Sequence, residues 1–117
     1  MKVTKLSIKS ETFEEVKIGR NILKYFKINS PFESQPEVHS YFSDLYIVLH
    51  GEATVQVSEN FSGGEEVEEG EIRNCIMGTY KTFEISKGDI LLIPFNTAHK
   101  LIIKSGSFEQ LVLKIHK

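Results

Sequence analysis

Gly88-Asp89-Ile90-Leu91-Leu92-Ile93-Pro94-Phe95-Asn96-Thr97-Ala98-His99 is the stretch that decides the fold. Lys87-Gly88-Asp89 reads as a turn, and Ile90 to Ile93 as a short strand, apolar throughout and expected to be buried. Pro94 stops it, because proline has no N–H to give to a ladder. Phe95 to Ala98 is a loop. His99 then opens a second strand, which carries Leu101 and Ile103 on the same face because side chains alternate along a strand.

An earlier stretch has a similar layout. Gln35 to His39 is short and extended, and Glu37 and His39, two apart, share a face. Asp44 opens a strand that continues through Tyr46 and Val48 on one face, with Leu45, Ile47 and Leu49 on the other. Gly51-Glu52 closes it with a tight turn. If the faces coincide, two imidazoles and one or two carboxylates meet at one end of an apolar cavity. Such a mixed nitrogen and oxygen set suits a divalent first-row metal.

The rest of the chain agrees with an all-β fold. It holds thirteen Ile, eight Val and six Thr against two Ala, which suits pleated strands and disfavours helices. Lys2 to Ile8 alternates like an edge strand. Val16 to Ile18 and Ile22 to Ile28 flank a hairpin turn at Gly19-Arg20-Asn21, and Asn29-Ser30-Pro31 ends that unit. Ala53 to Val57, Ile72 to Met77, Thr79 to Ile85 and Phe108 to Ile115 complete about ten strands, an arrangement typical of a sandwich or barrel. A helical turn near Thr12-Phe13-Glu14 is the one competitor. Ser58 to Glu71, with Gly63-Gly64 and a run of glutamates, reads as a solvated, mobile loop.

The two stretches resemble the paired motifs of the cupin superfamily. The first family motif ends in His, one residue, His, three or four residues, Glu, six residues, Gly. Glu37-Val38-His39, four residues, Asp44, six residues and Gly51 fit that frame. The second motif is Gly, five residues, Pro, one residue, Gly, two residues, His, three residues, Asn. Gly88 to His99 fits it through the histidine. Glu37 replaces the first histidine, Asp44 the glutamate, Asn96 a glycine and Ile103 the terminal asparagine. An αL turn tolerates Asn, so the third change is mild. The resemblance implies a single double-stranded β-helix (jelly-roll) barrel over residues 1–117, and it implies dimers.

Each candidate ligand keeps a second reading. His39 and His99 are metal ligands or structural strand histidines. Asp44 is a ligand or a turn cap, and Glu37 a ligand or a solvated side chain. Tyr46, Val48, Leu101 and Ile103 are expected to shape the pocket, Tyr46 with equal claim to a structural role. His50 and His116 are expected at the surface, and Cys75 is expected to be buried and inert.

The implied function is a small-molecule-binding protein with one divalent transition metal (Fe, Mn, Ni or Zn) on His39, His99 and Asp44 and/or Glu37. The metal would polarise a small oxygen-bearing substrate for isomerisation or oxygenation. The alternative is a metal-free sensor, carrier or structural protein, so whether the chain is an enzyme stays open. A net charge of −2 offers no basic field for nucleic acid or anionic lipid, and the apolar runs are far short of a membrane span. No signal-peptide pattern follows Met1 to Lys5, and the single cysteine suits a reducing compartment. A cytoplasmic location is therefore expected. A homodimer is expected too, as a way to cover apolar faces and an exposed strand edge.

Overall fold

The computed structural model describes residues 3–5, 7 and 13–117. Every regular element among them is a strand: β1 (Phe13–Ile18), β2 (Asn21–Asn29), β3 (Phe32–Glu33), β4 (Glu37–His39), β5 (Phe42–His50), β6 (Glu52–Ser58), β7 (Phe61–Ser62), β8 (Glu65–Glu68), β9 (Glu71–Arg73), β10 (Ile76–Met77), β11 (Lys81–Ser86), β12 (Ile90–Ile93), β13 (Ala98–Ile103) and β14 (Ser107–His116). All pairings are antiparallel. One sheet runs β1-β2-β14-β5-β12. The other runs β11-β6-β13-β4-β9-β8, with β3 also on β13, and β7 and β10 form a small pair. No helix among the described residues is long and apolar enough to cross a membrane.

The core lies between the two large sheets. Tyr46 and Val48 of β5, Phe108 and Val112 of β14 and Ile93 of β12 pack against Val55 of β6 and Leu101 and Ile103 of β13. Alternation along these strands sends every second residue inward, so one end of each strand can carry a polar group into the same interior. Gly51 closes the β5–β6 turn at φ +78°, and a Cβ there would lie 2.1 Å from the Ser107 carbonyl oxygen, which bars any other residue. Asn96 takes the αL conformation at φ +59°, as the motif frame requires of a glycine substitute.

Three expectations need correction. The segment 58–71 is not a loose loop. It supplies β7, β8 and the start of β9, and β9 pairs with β4 through His39↔Glu71, Val38↔Ile72 and Glu37↔Arg73. Phe61, Ile72 and Met77 pack on buried Val38, Cys75 and Ala98, a second small core behind β4 and β13. The glutamates of β8 stay exposed, as their composition leads one to expect, and it is this packing that holds β9 against β4. The strand Ile90–Ile93 is an edge rather than a buried one, with Ile90 66% and Leu92 55% exposed and only Ile93 enclosed. The segment at 13 and 14 opens β1 rather than a helical turn. Lys2, Leu6, Ile8 and Thr12, on which the first-strand and helical-turn expectations partly rest, lie outside the described residues.

Candidate metal centre

Four strands bring polar side chains to one end of the interior. β4 gives Glu37 and His39, β5 gives Asp44, β13 gives His99 and β9 gives Glu71. The backbone holds the two motif stretches together: His99 is the register partner of Glu37, and the Asn96 N–H donates to the His39 carbonyl at 2.9 Å. His39, Asp44 and His99 are buried to 5%, 3% and 2% exposure, and the imidazole centroids are 5.0 Å apart.

The ring nitrogens are divided between two tasks. His39 Nδ1 lies 2.7 Å from Glu71 Oε1, and His99 Nδ1 lies 3.0 Å from the Thr97 carbonyl oxygen. Both acceptors can only receive, so each Nδ1 carries the hydrogen and each neutral ring turns its Nε2 lone pair inward. Both Nε2 atoms are buried without a hydrogen-bond partner. His39 Nε2 is 3.4 Å from Glu37 Oε1 and 3.3 Å from Asp44 Oδ2, and His99 Nε2 is 3.4 and 3.5 Å from the same two oxygens. Glu37, His39 and His99 each offer a ligand atom within 4.8 Å of the others. Asp44 falls outside that mutual set, yet its Oδ2 approaches both rings.

The carboxylates are held from behind in the same way. Lys114 Nζ on β14 donates to Asp44 Oδ1 at 2.8 Å, which leaves Oδ2 facing the rings. Arg73 Nη1 on β9 donates to Glu37 Oε2, which leaves Oε1 facing them. Four donors thus point one atom at a shared space while the other atom is fixed, the arrangement that orients metal ligands and sets their basicity. Two orphaned imidazole nitrogens in a buried position would otherwise be costly, so the donor set fits a divalent cation.

The electrostatics draw positive charge to this space. Burial alone would lower His39, but the carboxylates of Asp44, Glu37 and Glu71 around it overcome that and push the ring up to about 10. Burial would raise Asp44, but His39 and the Lys114 charge bring it down to about 2. Burial would raise the partly buried Glu37 as well, but the two histidines hold it well below the ordinary carboxylate range. Burial, and after it the charges of Asp44 and Glu37, push Tyr46 well above the ordinary phenol value. A proton on His39 or a metal ion between the rings answers the same field.

The donors open onto a cavity of about 330 Å³. Phe26, Ile28, Phe32, Leu101 and Val112 form its apolar body, and Tyr46 borders it beside Asp44. Val48 and Ile103, expected to shape the pocket, sit instead in the core outside its lining. Neither second reading of the carboxylates describes the geometry: Asp44 is buried on Lys114 rather than capping a turn, and Glu37 is tied to Arg73 rather than free in solvent. The exposed His50 is away from the cavity. Glu71, Arg73 and Lys114 were not expected. Lys114 was legible from the inward alternation of Phe108, Gln110 and Val112, whereas nothing in the glutamate run distinguished Glu71.

No protein-family model and no curated protein matches the chain. Solved structures do. Procruciferin, an 11S globulin from Brassica napus, is 22% identical with a TM-score of 0.61 over 83% of this chain and 21% of its own. KdgF from Halomonas sp. is 16% identical with a TM-score of 0.63 over 87% of this chain and 74% of its own. The DMSP lyase DddQ from Ruegeria pomeroyi DSS-3 is 16% identical with a TM-score of 0.55 over 80% of this chain and 37% of its own. The chain thus spans about a fifth of the globulin and little over a third of the lyase. At these identities the likeness is one of fold.

Proposed function

We propose, from the cupin fold that these likenesses establish, that the chain binds one divalent transition metal and a small oxygen-bearing molecule beside it. His39 and His99 would hold the metal through Nε2, with Glu37 and Asp44 supplying oxygens. The observation that carries this reading is the pair of buried, unpartnered Nε2 atoms that face the same two carboxylate oxygens.

Such an ion would polarise a carbonyl or hydroxyl oxygen of the bound molecule, the chemistry that isomerisation or oxygenation of a small substrate needs. The chain's own residues do the rest. Glu71 and the Thr97 carbonyl keep the histidine hydrogens on Nδ1. Lys114 and Arg73 fix the two carboxylates, so the donors are preorganised. Phe26, Leu101 and Val112 give the neighbouring space an apolar lining. Tyr46, raised by burial, keeps its phenol proton at neutral pH and so acts as a hydrogen-bond donor or acceptor, not as a base.

A non-catalytic carrier or sensor would use the same cavity, and this fold is shared by a lyase and a globulin among the likenesses above. Turnover separates the two readings. The metal reading is tested by elemental analysis of protein purified without an affinity tag. About one metal per chain is expected, lost in His39→Ala and His99→Ala variants that keep their circular dichroism. No bound metal, together with no affinity for Mn, Fe, Ni or Zn ions, overturns it.

A further inference from the structure

Gln110 lies on β14 and faces the same cavity, away from the metal donors. It is 2% exposed, and its Oε1 is buried without a hydrogen-bond partner. Its register partners are apolar, Phe26 on β2 and Val48 on β5. Phe108 and Val112 share its face along β14 and are buried. An amide oxygen among such neighbours weakens the fold unless something donates to it. Among the described residues nothing does, and Gln110 lines the cavity.

The opposite end has a definite charge. Lys24, Arg73 and Lys114 line the cavity together with Glu37, Asp44 and Glu71. Glu15 stands 3.8 Å from Lys24. Three cations against four carboxylates leave one negative charge, and a divalent ion with neutral histidines turns that into one positive charge. A monoanionic head group restores neutrality there. Lys114, at the Asp44 rung, and Gln110 are four residues apart on β14, about 13 Å of strand. Phe26, Ile28, Leu101 and Val112 lie in the same cavity with them.

We propose that the cavity binds a small monocarboxylate that carries a hydroxyl or N–H group at its far end, with the carboxylate at the metal donors, an apolar stem along Leu101 and Val112, and the donor on Gln110 Oε1. The carboxylate end rests on the metal reading above. The Gln110 end stands without it. A volume of about 330 Å³ is at the small end of ligand sites, so the molecule is small.

Calorimetric titration of the manganese-loaded chain with 6-hydroxyhexanoate, hexanoate and 1,6-hexanediol tests both ends. The hydroxy acid is expected to bind about fivefold tighter than hexanoate, the value of one hydrogen bond. The diol, which lacks the charge, is expected to be the weakest. In Gln110→Met, close in size and lacking the amide, the hydroxyl preference disappears while hexanoate, whose far end is apolar, binds no more weakly than to the wild type. Equal binding of hydroxy acid and hexanoate by the wild type, or a preference that survives in Gln110→Met, overturns the assignment of Gln110. A diol that binds as well as the acids overturns the assignment of the head group. Metal content measured on the same samples reports separately on the metal reading, and the hydroxyl comparison decides Gln110 with or without metal.

Discussion

Removing the Glu71 carboxylate isolates the part of the site that orients His39. Glu71 Oε1 and Oε2 lie 2.7 and 3.0 Å from His39 Nδ1, so they fix both the tautomer and the ring plane. Its side chain is 19% exposed, enclosed enough for the charge to act on the ring. Loss of such an outer partner costs about 10- to 100-fold in metal affinity, or about 1.4 to 2.7 kcal/mol. Glu71→Gln keeps an acceptor but loses the charge, so it falls near the lower figure. Glu71→Ala loses both. A second effect opposes the first at neutral pH. Glu71 also helps push His39 up to about 10, so its removal eases the proton's competition with the metal. The net loss for Glu71→Ala at pH 7 is therefore about tenfold, and it widens as pH rises. Competition against a fluorescent chelator for zinc and manganese, on variants shown to melt cooperatively, reads it directly. Affinity within about twofold of wild type, with no trend in pH, would refute the orienting role.

Three further outcomes follow from the same geometry. In chelator-treated protein, His39 is raised from an ordinary 6.5 to about 10, so its contribution to stability is complete below 6.5 and lost as pH rises through about 10. Asp44, lowered from 3.8 to about 2, contributes above 3.8 and loses its contribution as pH falls through about 2. Melting temperature should thus decline from pH 6.5 toward 10 and decline less with metal bound; a rise over that window contradicts the assignment. Lys114→Met leaves Asp44 buried without its cation, at a cost of about 3 kcal/mol or more without metal. Denaturant titration should show a smaller loss with manganese present, and equal losses would contradict a metal on Asp44. We also propose that a second copy of the chain covers Ile90 and Leu92, which register with Ile47 and Leu45 and continue into Leu111 and Leu113 of β14 as apolar rungs on the outer face. Light scattering should then give twice the 13.3 kDa of the chain, and Leu92→Glu should halve it; a wild type that is monomeric at micromolar concentration contradicts this.

The inward side of the fold was legible because strand periodicity is strict. Once Glu37, His39, Asp44 and His99 were placed on strands, their parity and the turns at Gly51 and Asn96 left them little choice of face. Pocket shape was less legible. Val48 and Ile103 have the right parity but lie in the core, and parity does not say how far along a strand the cavity extends. Ile90–Ile93 misled because a uniformly apolar run fits an edge strand as well as a buried one when the outer face stays apolar. The glutamate segment misled for the opposite reason. Its local composition favours solvent, and only tertiary packing of Phe61, Ile72 and Met77 on Val38 and Cys75 brings β9 beside β4. One glutamate of that run, Glu71, is thereby turned inward onto His39, and no local signal separates it from its neighbours.

Anomalous diffraction from crystals soaked in a divalent transition metal examines the convergence of donors most directly. One peak per chain is expected, about 2.1 Å from Nε2 of both His39 and His99, with an oxygen of Glu37 or Asp44 beside it. A peak bound elsewhere on the molecule, or none between the two rings at a metal concentration that saturates a reference histidine site, would contradict it.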